Sequence, residues 1–232
     1  MKRTLLILGV VVGTFVAAGV AWSSGVLGGG PAAASAGVEP PNNIDDSFNG
    51  GTIDSSTWST DIMSPGTTAA VKDGALVLSA SSAAGDEFHD GILANCQARG
   101  DFVARASFVL TQWPANDGVS FALNAPPLGN TFTNSATGGE IYGLFVAPSG
   151  FTTIPTDASS GELRLVRRGD VTTGYERSNG SGWITIGSFA GSTDDTFVGV
   201  AIWNTGVPFG GQPVSMRVTA FHLYAQELVC PG

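Results

Sequence analysis

"DFVARASFVLTQW", residues 101–113, alternates with a period of two. Phe102, Ala104, Ala106, Phe108 and Leu110 share one face; Val103, Arg105, Ser107, Val109 and Thr111 share the other. Successive side chains of a strand point to opposite faces, so this stretch predicts a strand with one apolar and one mixed face. "GVSFALNA" (118–125) repeats the pattern, with Val119, Phe121 and Leu123 against Ser120, Ala122 and Asn124.

Working outward, strand patterns recur at 74–80, 91–98, 140–147, 161–168, 171–178, 182–189, 196–204 and 213–226. Residues 91–98 and 101–113 read as two strands, and "APPLGNTFTNSATGGE" (125–140) as a long polar loop. Lys72-Asp73-Gly74 and Ser178-Asn179-Gly180-Ser181-Gly182 read as turns, because Gly and Asn tolerate positive φ. The second turn makes a hairpin that sets Trp183 across from the strand carrying Tyr175. The connections are too short for parallel crossovers, and no internal repeat is present. Many short strands with 33 glycines in the chain predict an all-β sandwich or barrel.

The 232 residues are 43% hydrophobic, enough for a full core, and carry a net charge of −9. Nucleic acid needs a basic footprint that this chain lacks, so it is excluded as a partner.

"MKRTLLILGVVVGTFVAAGVAW" is a basic start followed by an uncharged apolar run from Thr4 to Trp22. Small residues, Gly and Pro follow. Residues 1–36 therefore read as a secretory leader, with Ala34-Ser35-Ala36 as a small-x-small cleavage site, or as an uncleaved N-terminal anchor. Residues 37–42 read as a linker and 43–232 as one domain. Both readings place the domain outside the cytoplasm, either secreted or held on the outer face of the membrane by residues 4–22. The membrane is then a partner only through that segment. Cys96 and Cys230 make an even count in an oxidising compartment, which suggests one disulfide; two buried thiols are the other reading.

"DDSFNGGTIDSSTWST" (45–60) resembles the opening of secreted concanavalin A-like domains: an acidic pair, an aromatic, a Gly turn and a Trp. Residues 100–125 resemble the central strand pair of that group. Residues 163–188 resemble its strand–turn–strand, and 196–204 and 214–224 its last two core strands. The resemblance is to the concanavalin A-like lectin/glucanase superfamily, near the laminin-G-like and domain-of-unknown-function branches of bacterial secreted proteins. It implies a jelly-roll β-sandwich of two curved antiparallel sheets. It also implies a function among lectins, glycanases and adhesive modules, which the fold alone does not divide. The family often carries a structural calcium near the acidic pair, which would fall on Asp45, Asp46 and Asp54. His222-Leu223 stands where many relatives have Asp-Asn, and this takes away one ligand.

The Glu-x-Asp-x-(x)-Glu pattern of the glucanase branch is absent, and two histidines without a GxSxG elbow offer no Ser-His-Asp site. No catalytic residue is assigned. Sugar sites combine aromatic faces with planar polar groups. On the non-core faces these would be Arg105, Tyr142, Arg164, Glu176, Arg177 and Trp203, although Arg164 and Glu176 also read as a cross-strand ion pair. The expectation is a non-catalytic, lectin-like module for a glycan or cell-surface polymer. A glycoside hydrolase with a non-standard carboxylate pair, or a structural envelope protein, are the alternatives.

Overall fold

The computed structural model describes residues 42–231 apart from 63, 85–86, 116–117, 137–138, 149, 179 and 206–211. The expected leader, and all but the last residue of the linker, lie outside the described residues. No helix among the described residues is long and apolar enough to cross a membrane.

Fourteen strands form the domain: β1 Asn42–Asp46, β2 Trp58–Ile62, β3 Thr67–Lys72, β4 Ala75–Ala80, β5 Glu87–Gln112, β6 Ser120–Ala125, β7 Gly129–Ala136, β8 Gly139–Val146, β9 Gly150–Thr156, β10 Ser160–Arg168, β11 Val171–Ser178, β12 Ile184–Ala190, β13 Thr196–Thr205 and β14 Val214–Val229. All pairings are antiparallel. One layer runs β9-β8-β7-β6-β13-β5-β2, using β5 up to Ala98. The other runs β12-β11-β10-β5-β14, using β5 from Gln97 onward; β14 then pairs with β1 and β4, and β3 borders β4.

Two expectations are corrected here. Residues 91–98 and 101–113 belong to one 26-residue strand, β5, which passes from one layer into the other. Gly100 (φ +70°) takes the bend, in a conformation that L side chains resist. The buried Arg167 guanidinium clamps it, donating to the carbonyls of Gly100 (2.8 Å), Ala98 (3.3 Å) and Asp194 (2.6 Å) over the ring of Phe102. The "loop" 125–140 contains β7. Its inward residues are Thr131, Thr133 and Ser135, fully buried but polar, so the strand lacks the apolar alternation that marks its neighbours. Strand β9 pairs only with β8, and an edge strand tolerates the missing N–H of Pro155.

The apolar face of 101–113 is inside as expected: Phe102, Ala104, Ala106 and Phe108 join one core with Leu78, Ile92, Phe121, Leu144, Leu165, Val200 and Phe221. The layers approach closely at Gly174 of β11, where a Cβ would stand 2.9 Å from Leu144 of β8. Cys96 and Cys230 are disulfide-bonded, tying the end of β14 to β5.

The acidic pair of the opening motif splits by strand alternation. Asp46 turns inward and accepts hydrogen bonds from the Trp58 indole (2.7 Å) and the Phe48 amide (2.6 Å). Trp58 is buried and meets Phe221 edge-on. Asp45 turns outward to His222 (2.5 Å) and Tyr224 (3.2 Å).

Candidate functional site

Two outer faces remain once the core is filled. In the β6/β13/β7 layer the inward residues are Phe121, Leu123, Val200 and Ile202. Alternation therefore sends Trp203, Ala201, Ser120, Asn124, Asn130 and Phe132 outward. Trp203 aligns with His89 on β5 and Ser120 on β6. His89 and Trp203 meet edge-on at 6.3 Å; Phe132 lies 6.3 Å from Trp203 and stacks with Phe151, also at 6.3 Å. The rings thus form a line across the strands, from β5 to β9. Between them Gly91, Ala201, Ala122 and Gly143 leave the floor low, and the Phe132 ring lies over Gly143. A hollow of about 700 Å³ opens here, lined by Ser64, Glu87, Phe88, His89, Asn124, Asn130, Trp203 and Asn204. Aromatic faces beside amides that both donate and accept suit a polyhydroxylated ligand. Among the described residues lining it, Glu87 is the one carboxylate.

The sequence-derived candidates do not converge. Trp203 alone lies in this hollow. Arg105, Arg164 and Arg177 lie on the outer face of the opposite layer, where Arg105 is paired in register with Arg164 and His222. Tyr142, expected on a non-core face, is 1% exposed and part of the core. Glu176, also expected outside, is 3% exposed. It shares its face with Leu163 rather than Arg164, so the Arg164–Glu176 ion pair does not form; Arg177 pairs with Glu162 instead. The facing layer explains both placements. It presents Leu144 and Thr131 to β11, and the polar residues Thr172 and Glu176 fill the remaining space between the layers. Burial pushes the Tyr142 phenol up to about 12 and raises the Glu176 carboxyl against a hydrogen bond with Ser178.

Asp45, Asp46 and Asp54 do border one hollow, of about 390 Å³. Each is engaged by protein donors: Asp54 accepts from Ser56 and Thr57. At Asp45, partial burial works upward, but hydrogen bonds with His222, Tyr224 and Asn43 and the charge of His222 hold the carboxyl below its ordinary value. Among the described residues no three His, Cys, Asp or Glu side chains are grouped to hold a metal ion.

A smaller hollow of about 310 Å³ brings Glu140 and Asp157 together beside Trp113. Burial raises the Glu140 carboxyl, partly offset by the Trp113 indole, which donates to it at 3.3 Å.

His89, Asn124, Asn130, Phe132 and Phe151 were not singled out from sequence. The available signal was the outward phase of β6 (Ser120, Ala122, Asn124), which points to the same face as Trp203.

No protein-family model and no curated protein matches the chain. Solved structures do. The immunostimulatory antigen and pseudo β-1,3-glucanase Rv0315 of Mycobacterium tuberculosis is similar at 15% identity, with a TM-score of 0.56 over 79% of this chain and 98% of that one. A legume lectin-like domain from Entamoeba histolytica gives 11%, 0.54, 73% and 90%. The carbohydrate recognition domain of Emp47p gives 10%, 0.54, 80% and 95%. The chain is therefore an all-β jelly roll. More particularly, its fold is the concanavalin A-like one shared by these lectin and glucanase structures.

Proposed function

We propose that this chain is a secreted or surface-tethered, non-catalytic, lectin-like module that holds a glycan of a cell surface or polymer on the Trp203 face. The observation that carries this is the hollow in which Trp203 and His89 stand beside Asn124 and Asn130. Stacking on sugar C–H faces and hydrogen bonding to hydroxyls both need such a surface. The lectin structures among its structural neighbours support the reading. Glycosidic cleavage commonly uses two carboxylates flanking the bond, and the hollow presents only Glu87 among its described lining residues. Residues 1–36 serve as leader or anchor, 37–42 as linker and 43–232 as the binding domain, on the outer side of the membrane. The disulfide suits that location.

The test is retention of the full chain on insoluble polysaccharides and cell walls, with and without EDTA, while reducing ends are measured. Retention without sugar release supports the module, and loss of retention in Trp203→Ala places the ligand. Sensitivity to EDTA would show that binding needs a divalent cation, with Asp45, Asp46 and Asp54 the residues to vary. No retention on any member of the panel sinks the proposal for that panel.

Glu140 and Asp157 in one hollow beside Trp113 favour a second reading, a glycoside hydrolase. The raised Glu140 carboxyl is what a general acid requires. Sugar release that Glu140→Gln abolishes would replace the first reading with this one.

A further inference from the structure

Between residues 42 and 231 the chain has eight Lys and Arg side chains. Three of them, Arg105, Arg164 and Arg177, share the outer face of the β10/β5 layer. This gives an acidic protein one face where guanidinium groups gather.

Their placement follows from register. Arg105 on β5 pairs with Arg164 on β10, and Arg164 pairs with Tyr175 on β11. Neighbouring strands lie about 4.8 Å apart, so the row repeats at roughly that spacing. Arg177 lies two residues beyond Tyr175, on the same face. The guanidinium carbon of Arg164 sits 5.3 Å from the Tyr175 ring centre and 5.6 Å from that of Trp183; Arg177 sits 4.8 Å from Trp183. A guanidinium held over a ring is fixed in orientation, and its fork of donors matches a carboxylate. Two acids temper the face: Glu162 binds Arg177 and Ser107, and Asp45 binds His222. Beside Arg177 a hollow of about 400 Å³ is bordered by Glu162, Ser160 and Ser181.

The geometry points to a second binding face here, distinct from the Trp203 hollow, whose ligand is a carboxylate-bearing polysaccharide. Charge complementarity supplies the anion. The rings of Tyr175 and Trp183 and the neighbouring serine hydroxyls supply the sugar character. A peptide strand needs an open sheet edge and a helix needs an apolar groove, whereas this is the middle of a sheet face.

The experiment measures binding of the full chain to polygalacturonate at low and high salt. Poly-glutamate, anionic phosphatidylserine vesicles and a neutral glucan are run alongside. Polygalacturonate binding is expected at low salt and is lost at about 1 M salt, where screening shortens to a few ångströms. Arg105→Gln with Arg164→Gln should weaken it by about tenfold or more. Arg164→Lys, which keeps the charge but not the fork, should fall between. Trp203→Ala should leave it intact, which separates this face from the first. A thermal melt of each variant shows that it is folded; if the double variant does not fold, Arg164→Lys and Trp183→Ala carry the test. No binding of the wild-type chain, unchanged binding in a folded arginine variant, or loss in Trp203→Ala alone would overturn the assignment. Equal binding to poly-glutamate or to vesicles would overturn the sugar polymer as ligand.

Discussion

Replacing Arg167 with Met tests how the two layers are joined. The native guanidinium is 1% exposed and donates to three carbonyls where β5 changes layer. Met nearly fills the volume and removes every donor. Hydrogen bonds from a charged donor contribute about 1.5–3 kcal/mol each, and buried carbonyls left without them lose about 1–3 kcal/mol. Against this, burial disfavours the charge itself, which is why the Arg167 pKa is pushed down. The net expectation is about 3–5 kcal/mol of lost stability. A domain of this size shifts by about 2–4 °C per kcal/mol, so the melting temperature should fall by roughly 6–20 °C. The assay is thermal and urea unfolding under non-reducing conditions, with Arg167→Lys as the intermediate case. A melting temperature within about 2 °C of wild type in Arg167→Met would refute the clamp.

Trp203→Ala should weaken binding to a retained neutral glycan by up to about tenfold, from a stacking contribution of about 0.5–1.5 kcal/mol; unchanged retention in a folded variant counts against that face. Trp58→Phe removes the indole donor to Asp46 and should cost about 1–3 kcal/mol in urea unfolding, and a loss under 0.5 kcal/mol would show the bond to be incidental. Reducing the Cys96–Cys230 bond opens a closed loop of sequence separation 134 and should cost about 2–5 kcal/mol, read as the midpoint shift with and without reductant. Burial holds the Glu176 carboxyl above its ordinary value of 4.5, so its contribution favours folding at low pH and declines as pH rises through that raised value. Glu176→Gln should therefore melt at or above wild type at pH 7 and show a smaller advantage at pH 4; a lower melting temperature at pH 7 would contradict this.

The fold was legible because apolar alternation in residues 101–113 and 118–125 reports a covered face directly. It failed where that signal is absent. Strand β7 is filled inwardly by Thr131, Thr133 and Ser135, so it reads as a loop. Strand β8 carries apolar residues on both faces, so period alone cannot say whether Tyr142 or Ile141 is inside. In β11 the phase inverts: Tyr175 stands outside against Arg164, and Glu176 inside, because the opposite layer leaves room for it. Trp203 was found from its strand phase. His89, Phe132 and Phe151 join it only through the strand order β5-β13-β6-β7-β8-β9, which no local pattern reveals.

Strand β5 belongs to both layers, and that has a consequence for unfolding. Neither layer can detach without pulling on the strand it shares with its neighbour, so there is no half-domain to populate. Partial opening is confined to the free borders at β1, β2, β3, β9 and β12, and hydrogen exchange along residues 92–108 should proceed only at the rate of global unfolding. A domain built this way fails all at once. Proteases that sample partly opened molecules would find the borders cut slowly and the shared strand not at all until the whole domain lets go.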